Sequence, residues 1–326
     1  MRILTVDGGG IRGIIPAVVL AELERRTARP IADLFDYIVG TSTGGIIALA
    51  AVCPDQDGRP RYTAAEIVEF YREQGPRIFS PHRFSTAMQV VEEKYSSAGL
   101  DAALAATFGA WRLSQALKDV MVTTYDAEQC EPVFLRRSLA RAEPGFDLPM
   151  RLAARATAAA PTYFTPLSYE NGDRTHVFVD GGLVANNPVM AALAHGHESG
   201  ADLAQVVAVS LGSGEIVRRS GFDHPHHRGM VQWASRLLAM VMDGTSSAVD
   251  HHAAILLGPH RYNRFNTPLI TAAPHLDDAR PANIEALAGE ARLLIDRDSE
   301  RLDRVAELLT SKADERPDAV ASRSAV

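Results

Sequence analysis

A chain of 326 residues, 46 % hydrophobic and 22 % charged, can bury a sizeable core and has the composition of an ordinary globular protein. Its formal net charge of -7 argues against a nucleic-acid partner and against docking on anionic membranes through a polybasic patch. Its two cysteines, Cys53 and Cys130, have no CxxC spacing, which argues against a disulfide framework or a zinc site.

In chain order, Met1 to Asp7 reads as a short apolar strand, followed by the turn Gly8-Gly9-Gly10-Ile11-Arg12-Gly13 and a helix through about Arg26. A strand from about Leu34 to Val39 leads into Gly40-Thr41-Ser42-Thr43-Gly44, and Thr43 to Val52 reads as the next helix. This rhythm predicts an α/β fold, with a mostly parallel central sheet flanked by helices on both faces as a three-layer sandwich. Later strands are expected at Val120 to Tyr125, Val133 to Arg136, His176 to Asp180 and Val206 to Leu211. Helices are expected at Ala64 to Glu73, Met150 to Ala159, Pro188 to His197, Met230 to Met242 and Asn283 to Leu309. The stretch Gly75 to Leu113 is weakly periodic, and two readings stay open: a cap or lid insertion over a site, or an irregular peripheral insertion. Residues 1–311 are expected to form a single catalytic domain and 312–326 a disordered tail. No stretch approaches the roughly 18 continuous apolar residues of a membrane span. With a strand pattern starting at Arg2, no signal peptide and a cytoplasmic location are expected.

The segment around Ser42 is a G-x-S-x-G pentapeptide between a strand pattern and a helix pattern. That context suits a nucleophile elbow, a sharp turn that pushes a serine hydroxyl out of the backbone. Gly40 and Gly44 allow the tight turn and a close approach of strand and helix, with Thr41 and Thr43 flanking the serine. The helix N-terminus favours developing negative charge at this point. Acyl transfer also needs a base and donors for an oxyanion. The Gly8 to Gly13 loop can turn successive backbone N–H groups into one concavity. Gly8, Gly10 and Gly13 also satisfy the dinucleotide fingerprint GxGxxG, but that site needs an acidic residue at the end of the second strand. Gly40-Thr41-Ser42 stands there instead, and no Gly-Lys-Ser/Thr follows to make a P-loop.

Asp180-Gly181-Gly182 follows the apolar run Val177-Phe178-Val179 and is the candidate base turn. Burial can move an aspartate pKa toward a useful value. The alternative reading is a strand-end aspartate that caps local N–H groups. A histidine base is the usual partner of a catalytic serine. His224, His226, His227, His251, His252 and His260 lie in polar sequence that singles none of them out, while His176 and His195 read as structural. The run His224-Pro225-His226-His227 reads as a solvated loop, and neither a metal nor a cofactor is expected. Met230 to Met242 reads as a core helix rather than a lipid-facing one.

These motifs, in this order, resemble the patatin-like phospholipases: Asp7-Gly8-Gly9-Gly10-Ile11-Arg12-Gly13, then Gly40-Thr41-Ser42-Thr43-Gly44-Gly45, then Asp180-Gly181-Gly182. Ala154-Arg155-Ala156-Thr157, Ala160-Pro161-Thr162-Tyr163-Phe164, Asn186-Asn187-Pro188 and Ser210-Leu211-Gly212-Ser213-Gly214 look like the family too, so the match spans about Met1 to Phe265. The resemblance implies a lipid acyl hydrolase of the phospholipase A type. Ser42 would be the nucleophile, Asp180 its partner in a dyad without histidine, and the Gly8 to Gly13 loop the oxyanion hole. The implied partner is a phospholipid or other acyl lipid, met peripherally at the inner membrane. Arg12 has two open readings, a contact to a lipid phosphate or an internal brace of its loop. The run Gly10 to Pro16 also looks like bacterial patatin-like effectors, some of them switched on by cyclic nucleotides in antiphage defence. A small nucleotide activator is therefore kept as an alternative, although no nucleotide site is recognisable. A dinucleotide-binding or catalytically silent scaffold is the alternative from another class.

Overall fold

The computed structural model describes residues 1–80, 93–216 and 230–311, with backbone alone for 230–238. The strands are β1 (Arg2–Val6), β2 (Tyr37–Thr41), β3 (Asp119–Asp126), β4 (Glu131–Arg136), β5 (Leu167–Asn171), β6 (Arg174–Asp180), β7 (Val207–Leu211) and β8 (Tyr262–Phe265). They form one 8-stranded sheet in the order β5-β6-β3-β2-β1-β7-β8, with β4 also paired to β3. From β3 through β8 the neighbours run parallel, while β4, β5 and β6 pair antiparallel.

The helices of eight residues or more are α1 (Ile14–Thr27), α2 (Thr43–Val52), α3 (Ala64–Ile78), α4 (Ser97–Phe108), α5 (Met150–Thr157), α6 (Val189–Glu198), α7 (Met230–Leu257), α8 (Pro281–Arg297) and α9 (Ser299–Thr310). Successive strand side chains point to opposite faces, and here both sets are apolar, as in a sheet covered on both sides. Leu4, Val6, Ile38, Val120, Val122, Val209 and Leu211 pack with residues of α1 to α5, α8 and α9. Ile3, Tyr37, Val39, Met121 and Ala208 face the other way, onto Val189, Ala192 and Leu193 of α6 and Ala253 and Leu257 of α7. The expected three-layer arrangement follows from that alternation.

One edge of β3 sets the geometry of the site. β4 pairs with Met121 to Asp126, occupying one edge over that whole range. β2 pairs with Asp119 to Thr123 and β6 with Thr124 to Asp126, so both must use the other edge. β2 runs with β3 and ends at the pair Thr41–Thr123. β6 runs against β3 and ends at the pair Thr124–Asp180. The two strands therefore meet end to end.

Several local readings are corrected. The second strand is Tyr37–Thr41, later than Leu34 to Val39, because Ile31–Leu34 forms a helical turn behind Pro30. Gly75 to Leu113 is not irregular where described: α3 runs through Gly75 and Pro76 to Ile78, and α4 occupies Ser97–Phe108. Leu100, Leu104 and Phe108 make a buried stripe on α4, but exposed Ala102, Ala105 and Ala106 blur its period in the sequence. Residues 81–92 of that stretch, the tail 312–326 and the run His224 to His227 lie outside the described residues. The helix expected from Asn283 to Leu309 is two helices broken at Asp298, whose N–H bonds back to Leu294 while its carbonyl accepts from Leu302 N–H. The helix beginning at Met230 continues to Leu257, well past Met242. Strands β5 and β8 are too polar to stand out, with Ser, Glu and Asn in one and Asn263 and Arg264 in the other. No helix among the described residues is long and apolar enough to cross a membrane.

The core role of α4 can be checked directly. Phe108 is fully buried, so Phe108→Ala is expected to destabilise by about 3–5 kcal/mol in urea unfolding. A loss below about 1 kcal/mol, the range of surface substitutions, would show that α4 is peripheral.

Candidate functional site

Ser42 stands between the last residue of β2 and the first of α2, at φ 55 and ψ -124. A non-glycine residue held there costs about 1–3 kcal/mol, so its neighbours must enforce it. Its N–H donates to Thr157 Oγ1 at 2.8 Å, and the Thr157 hydroxyl donates to Thr123 O at 2.6 Å. Its carbonyl accepts from Gly45 and Ile46 N–H at 2.9 and 3.1 Å. Glycine is required on both sides of the turn: a Cβ on Gly40 would collide with the Gly44 backbone, and one on Gly44 with the carbonyl of Val6. On either side of Ser42, the Thr41 hydroxyl donates to Ala185 O at 2.6 Å, and Thr43 Oγ1 lies 2.5 Å from the Tyr71 hydroxyl.

Asp180, the last residue of β6, meets this turn because β2 and β6 meet end to end. Ser42 Oγ donates to Asp180 Oδ2 at 2.5 Å, and Gly182 N–H donates to Oδ1 at 2.7 Å. Gly181 and Gly182 lead into the helical turn Gly182–Ala185, so this carboxylate accepts from the first N–H of that turn as well as from Ser42 Oγ. Asp180 is 2 % exposed. Burial raises its pKa to about 6, against the lowering effect of the bonds from Ser42 and Gly182. No histidine among the described residues bonds to either group. His176, on β6 with Asp180, pairs with Asp126 of β3 at 2.6 Å, and His195 pairs with Arg136 and Glu198.

The glycine loop folds as a 3-10 turn at Gly10–Gly13 beside the serine. Three of its N–H groups are already engaged: Gly8 with Asn186 O, Ile11 with Leu276 O and Arg12 with Gly9 O. Among the described residues, the N–H groups of Gly9, Gly10 and Thr43 have no partner. Gly10 and Thr43 line the same cleft as Ser42 and Asp180. Gly13 packs against Thr43 Oγ1 and the Tyr71 ring, which ties the loop to the start of α2. Arg12 is buried; its Nε lies 3.5 Å from Gly9 O, its Nη1 has no partner among the described residues, and it lines neither large cavity. Burial lowers its pKa, against the pull of Asp243.

Sequence reasoning missed the brace behind this loop. Arg264 of β8 forms a bidentate pair with Asp7 at 2.8 and 2.6 Å and also donates to Ser210 Oγ. Nothing local to Arg264 marks it, since its partner lies at the other end of the chain. The cleft wall was missed too. A space of about 660 Å³, counting its open mouth, is lined by Ile46, Tyr71, Ile78, Phe79, Phe164 and Met242 around the two polar groups. Met242 is 5 % exposed and reaches this cleft, while Met240 on the same helix is 51 % exposed.

The chain matches the family described as "Patatin-like phospholipase" over residues 4–193. Patatin group J-1 from Solanum tuberosum is 31 % identical over 356 residues, covering 96 % of this chain and 90 % of that protein. Probable inactive patatin-3-Kuras 1 from the same plant is 31 % identical over 315 residues, covering 87 % and 83 %. The crystal structure of VipD from Legionella pneumophila is similar at a TM-score of 0.42 and 12 % identity, covering 91 % of this chain and 67 % of that one.

Asp180 also has a stability signature. Its folded pKa of about 6 lies above the ordinary 3.8, so the folded state holds the extra proton between those values. Stability is therefore lost as pH rises through about 6, and Asp180→Asn removes that loss. The melting-temperature gain of Asp180→Asn over the parent is expected to be roughly 5 °C larger at pH 8 than at pH 4. Equal differences at both pH values would mean that the carboxyl is not held above its ordinary range.

Proposed function

Because the chain belongs to the patatin-like phospholipase family, a family of lipid acyl hydrolases, we propose that it cleaves fatty-acyl esters of phospholipids with Ser42 as nucleophile and Asp180 as its base. The observation that carries this reading is the 2.5 Å bond from Ser42 Oγ to Asp180 Oδ2 inside an apolar cleft. Family membership alone is insufficient, since a relative at the same identity is named as probably inactive.

In the proposed reaction the Asp180 carboxylate accepts the hydroxyl proton as Ser42 Oγ attacks the ester carbonyl. A base poised near pH 6 combines availability at neutral pH with useful proton affinity. The N–H groups of Gly10 and Thr43 receive the oxyanion, aided by the N-terminus of α2, with Gly9 beside them. The neutral Asp180 carboxyl returns the proton to the departing alkoxide, leaving an acyl-Ser42. Water then loses a proton to Asp180 as it attacks the acyl carbonyl, and Asp180 returns that proton to Ser42 Oγ as the acyl bond breaks and the fatty acid leaves. The apolar cleft holds the acyl chain throughout. The remaining loop residues, Gly8, Ile11, Arg12 and Gly13, hold the donors in place rather than donate.

With a soluble p-nitrophenyl ester, kcat/KM is expected to rise with pH along a single ionisation near 6 and then level. Ser42→Ala and Asp180→Asn should each lower kcat by about 10⁴-fold or more. A fluorophosphonate should label the parent and not Ser42→Ala. Ester hydrolysis near the parental rate in either variant would overturn the assignment.

A further inference from the structure

Between β8 and α8 the chain passes as a strap across the glycine loop. The Leu276 carbonyl accepts the Ile11 N–H at 2.8 Å, and Leu276 also lines the acyl cleft. The approach is close: a Cβ on Gly10 would meet Leu276 O at 2.1 Å, and Gly10 itself stands at φ 57. Glycine is needed there on two counts, the left-handed backbone and the passing strap. The Gly10–Ile11 peptide is planar, so its bond to Leu276 fixes how that peptide is turned. The peptide on the other side of Gly10 carries an N–H with no partner among the described residues, and Gly10 shares the cleft with Ser42.

The anchor of the strap lies one residue further on. Asp277 Oδ2 accepts from the Tyr95 hydroxyl at 2.8 Å and pairs with the Lys94 ammonium. Within residues 274–277, these bonds and the one from Ile11 are the links that leave the strap, among the described residues. Its near flank is tied to α8 instead, Thr271 to Glu290 and Ala273 to Asn283. The anchor is stiff. Lys94 and Tyr95 N–H donate to the carbonyls of Thr162 and Tyr163 at 3.0 and 3.1 Å. The Tyr95 ring is buried, edge-on to Phe79 at 5.5 Å and stacked on Tyr163 at 6.4 Å, and both of those line the cleft. The Lys94 ammonium lies 5.4 and 5.6 Å from the ring centres of Tyr95 and Tyr163, which keeps an exposed charge in place. The Asp277 side chain is 9 % exposed, so its pairing is less screened than one at the open surface.

We propose, resting on the acyl hydrolase reading, that Asp277 is a positioning residue of the reaction. Tied to Lys94 and Tyr95, it seats the Leu276 carbonyl on the Ile11 N–H and thereby keeps the Gly10 N–H turned toward the oxyanion. Asp277 is outside the lining of the cleft and acts through Leu276 and Ile11. Its effect falls on the transition state, because the ester oxygen becomes an anion only there. A group misplaced by about 1 Å costs on the order of 10²-fold in rate, while an ester held by apolar walls binds much as before.

The test compares Asp277→Ala, Asp277→Asn and the double variant Lys94→Met with Tyr95→Phe, which removes the same anchor from its other side. Each is assayed on p-nitrophenyl butyrate, with kcat taken per fluorophosphonate-reactive site. Two inhibitors are titrated alongside. An alkyl trifluoromethyl ketone adds to a serine as a tetrahedral oxyanion, and the matching methyl ketone stays an unreacted carbonyl. In Asp277→Ala and in the double variant, kcat is expected to fall about 10- to 100-fold with KM within about threefold of the parent. The inhibition constant of the trifluoromethyl ketone should rise in step with the loss in kcat/KM, and that of the methyl ketone should not move. Asp277→Asn keeps an oxygen that accepts from Tyr95 and Lys94, and should recover most of the rate. A residue that merely supports the fold would lower the melting temperature and the number of reactive sites, and would leave the trifluoromethyl ketone constant of those sites unchanged. A kcat/KM within about twofold of the parent in either Asp277→Ala or the double variant, or a loss without a matching rise in that constant, would overturn the role and leave the hydrolase reading standing. A parent that cleaves no ester and takes no fluorophosphonate would overturn both.

Discussion

The site depends on a shared strand edge. β3 offers one edge to two strands, β2 arriving from one end and β6 from the other, and they stop at adjacent rungs, Thr123 and Thr124. The residue after β2 is Ser42 and the last residue of β6 is Asp180. A hydroxyl and a carboxylate separated by 138 positions are thus placed 2.5 Å apart by backbone register rather than by flexible loops. Register slips by whole residues and would turn every side chain over, so the pairing is set to atomic precision by the buried faces of the sheet. The helical turn after Asp180 and the helix after Ser42 then carry the two chains away on separate paths.

That placement is costly, and the surrounding fold offsets the cost. Ser42 occupies a backbone region that side chains avoid, and Asp180 is a buried acid whose pKa is pushed to about 6. Both are destabilising taken alone. Each is held by groups with no other partner to turn to. Thr157 is fully buried and divides its hydroxyl between Ser42 N–H and Thr123 O. Gly182 N–H points at Asp180 because the turn at Gly182–Ala185 leaves its first donors open. α2 is buried along its whole length, so the elbow cannot relax without moving core residues. Strain of this kind, concentrated where two elements cross, is what a reactive site would be expected to store.

What the sequence made legible divides along the same line. The elbow was readable because its requirements are local: glycines at Gly40 and Gly44, a strand before and a helix after. The parallel sheet was readable from strands that are apolar on both faces. Asp180 was harder, since an Asp-Gly-Gly at a strand end has an ordinary capping use, and only the order of three motifs pointed to it. Thr157 and Arg264 were not readable as site supports, because the atoms they hold are contributed by distant strands. The glycine loop shows a similar limit: six residues looked alike as donors, yet Gly8, Ile11 and Arg12 spend their N–H groups on Asn186, Leu276 and Gly9. Helix α4 escaped notice for a compositional reason, as alanines around its buried stripe remove the polar contrast that periodicity needs.

Helix α7 adds a division that neither motif nor fold class contains. Met242 closes the apolar cleft over the glycine loop and the Asp180 turn, while the residues just after it carry acid and hydroxyl groups into a polar cavity behind. One turn of helix therefore separates two solvents, one suited to hydrocarbon and one to charge. Methionine is suited to such a boundary, being apolar, unbranched and able to repack. Ser42 lies at the foot of that boundary, beside Gly8 and below Met242. The hydroxyl–carboxylate pair is thus positioned by strand register, while the apolar character of the space over it is set by one side of a helix that arrives from the far end of the chain.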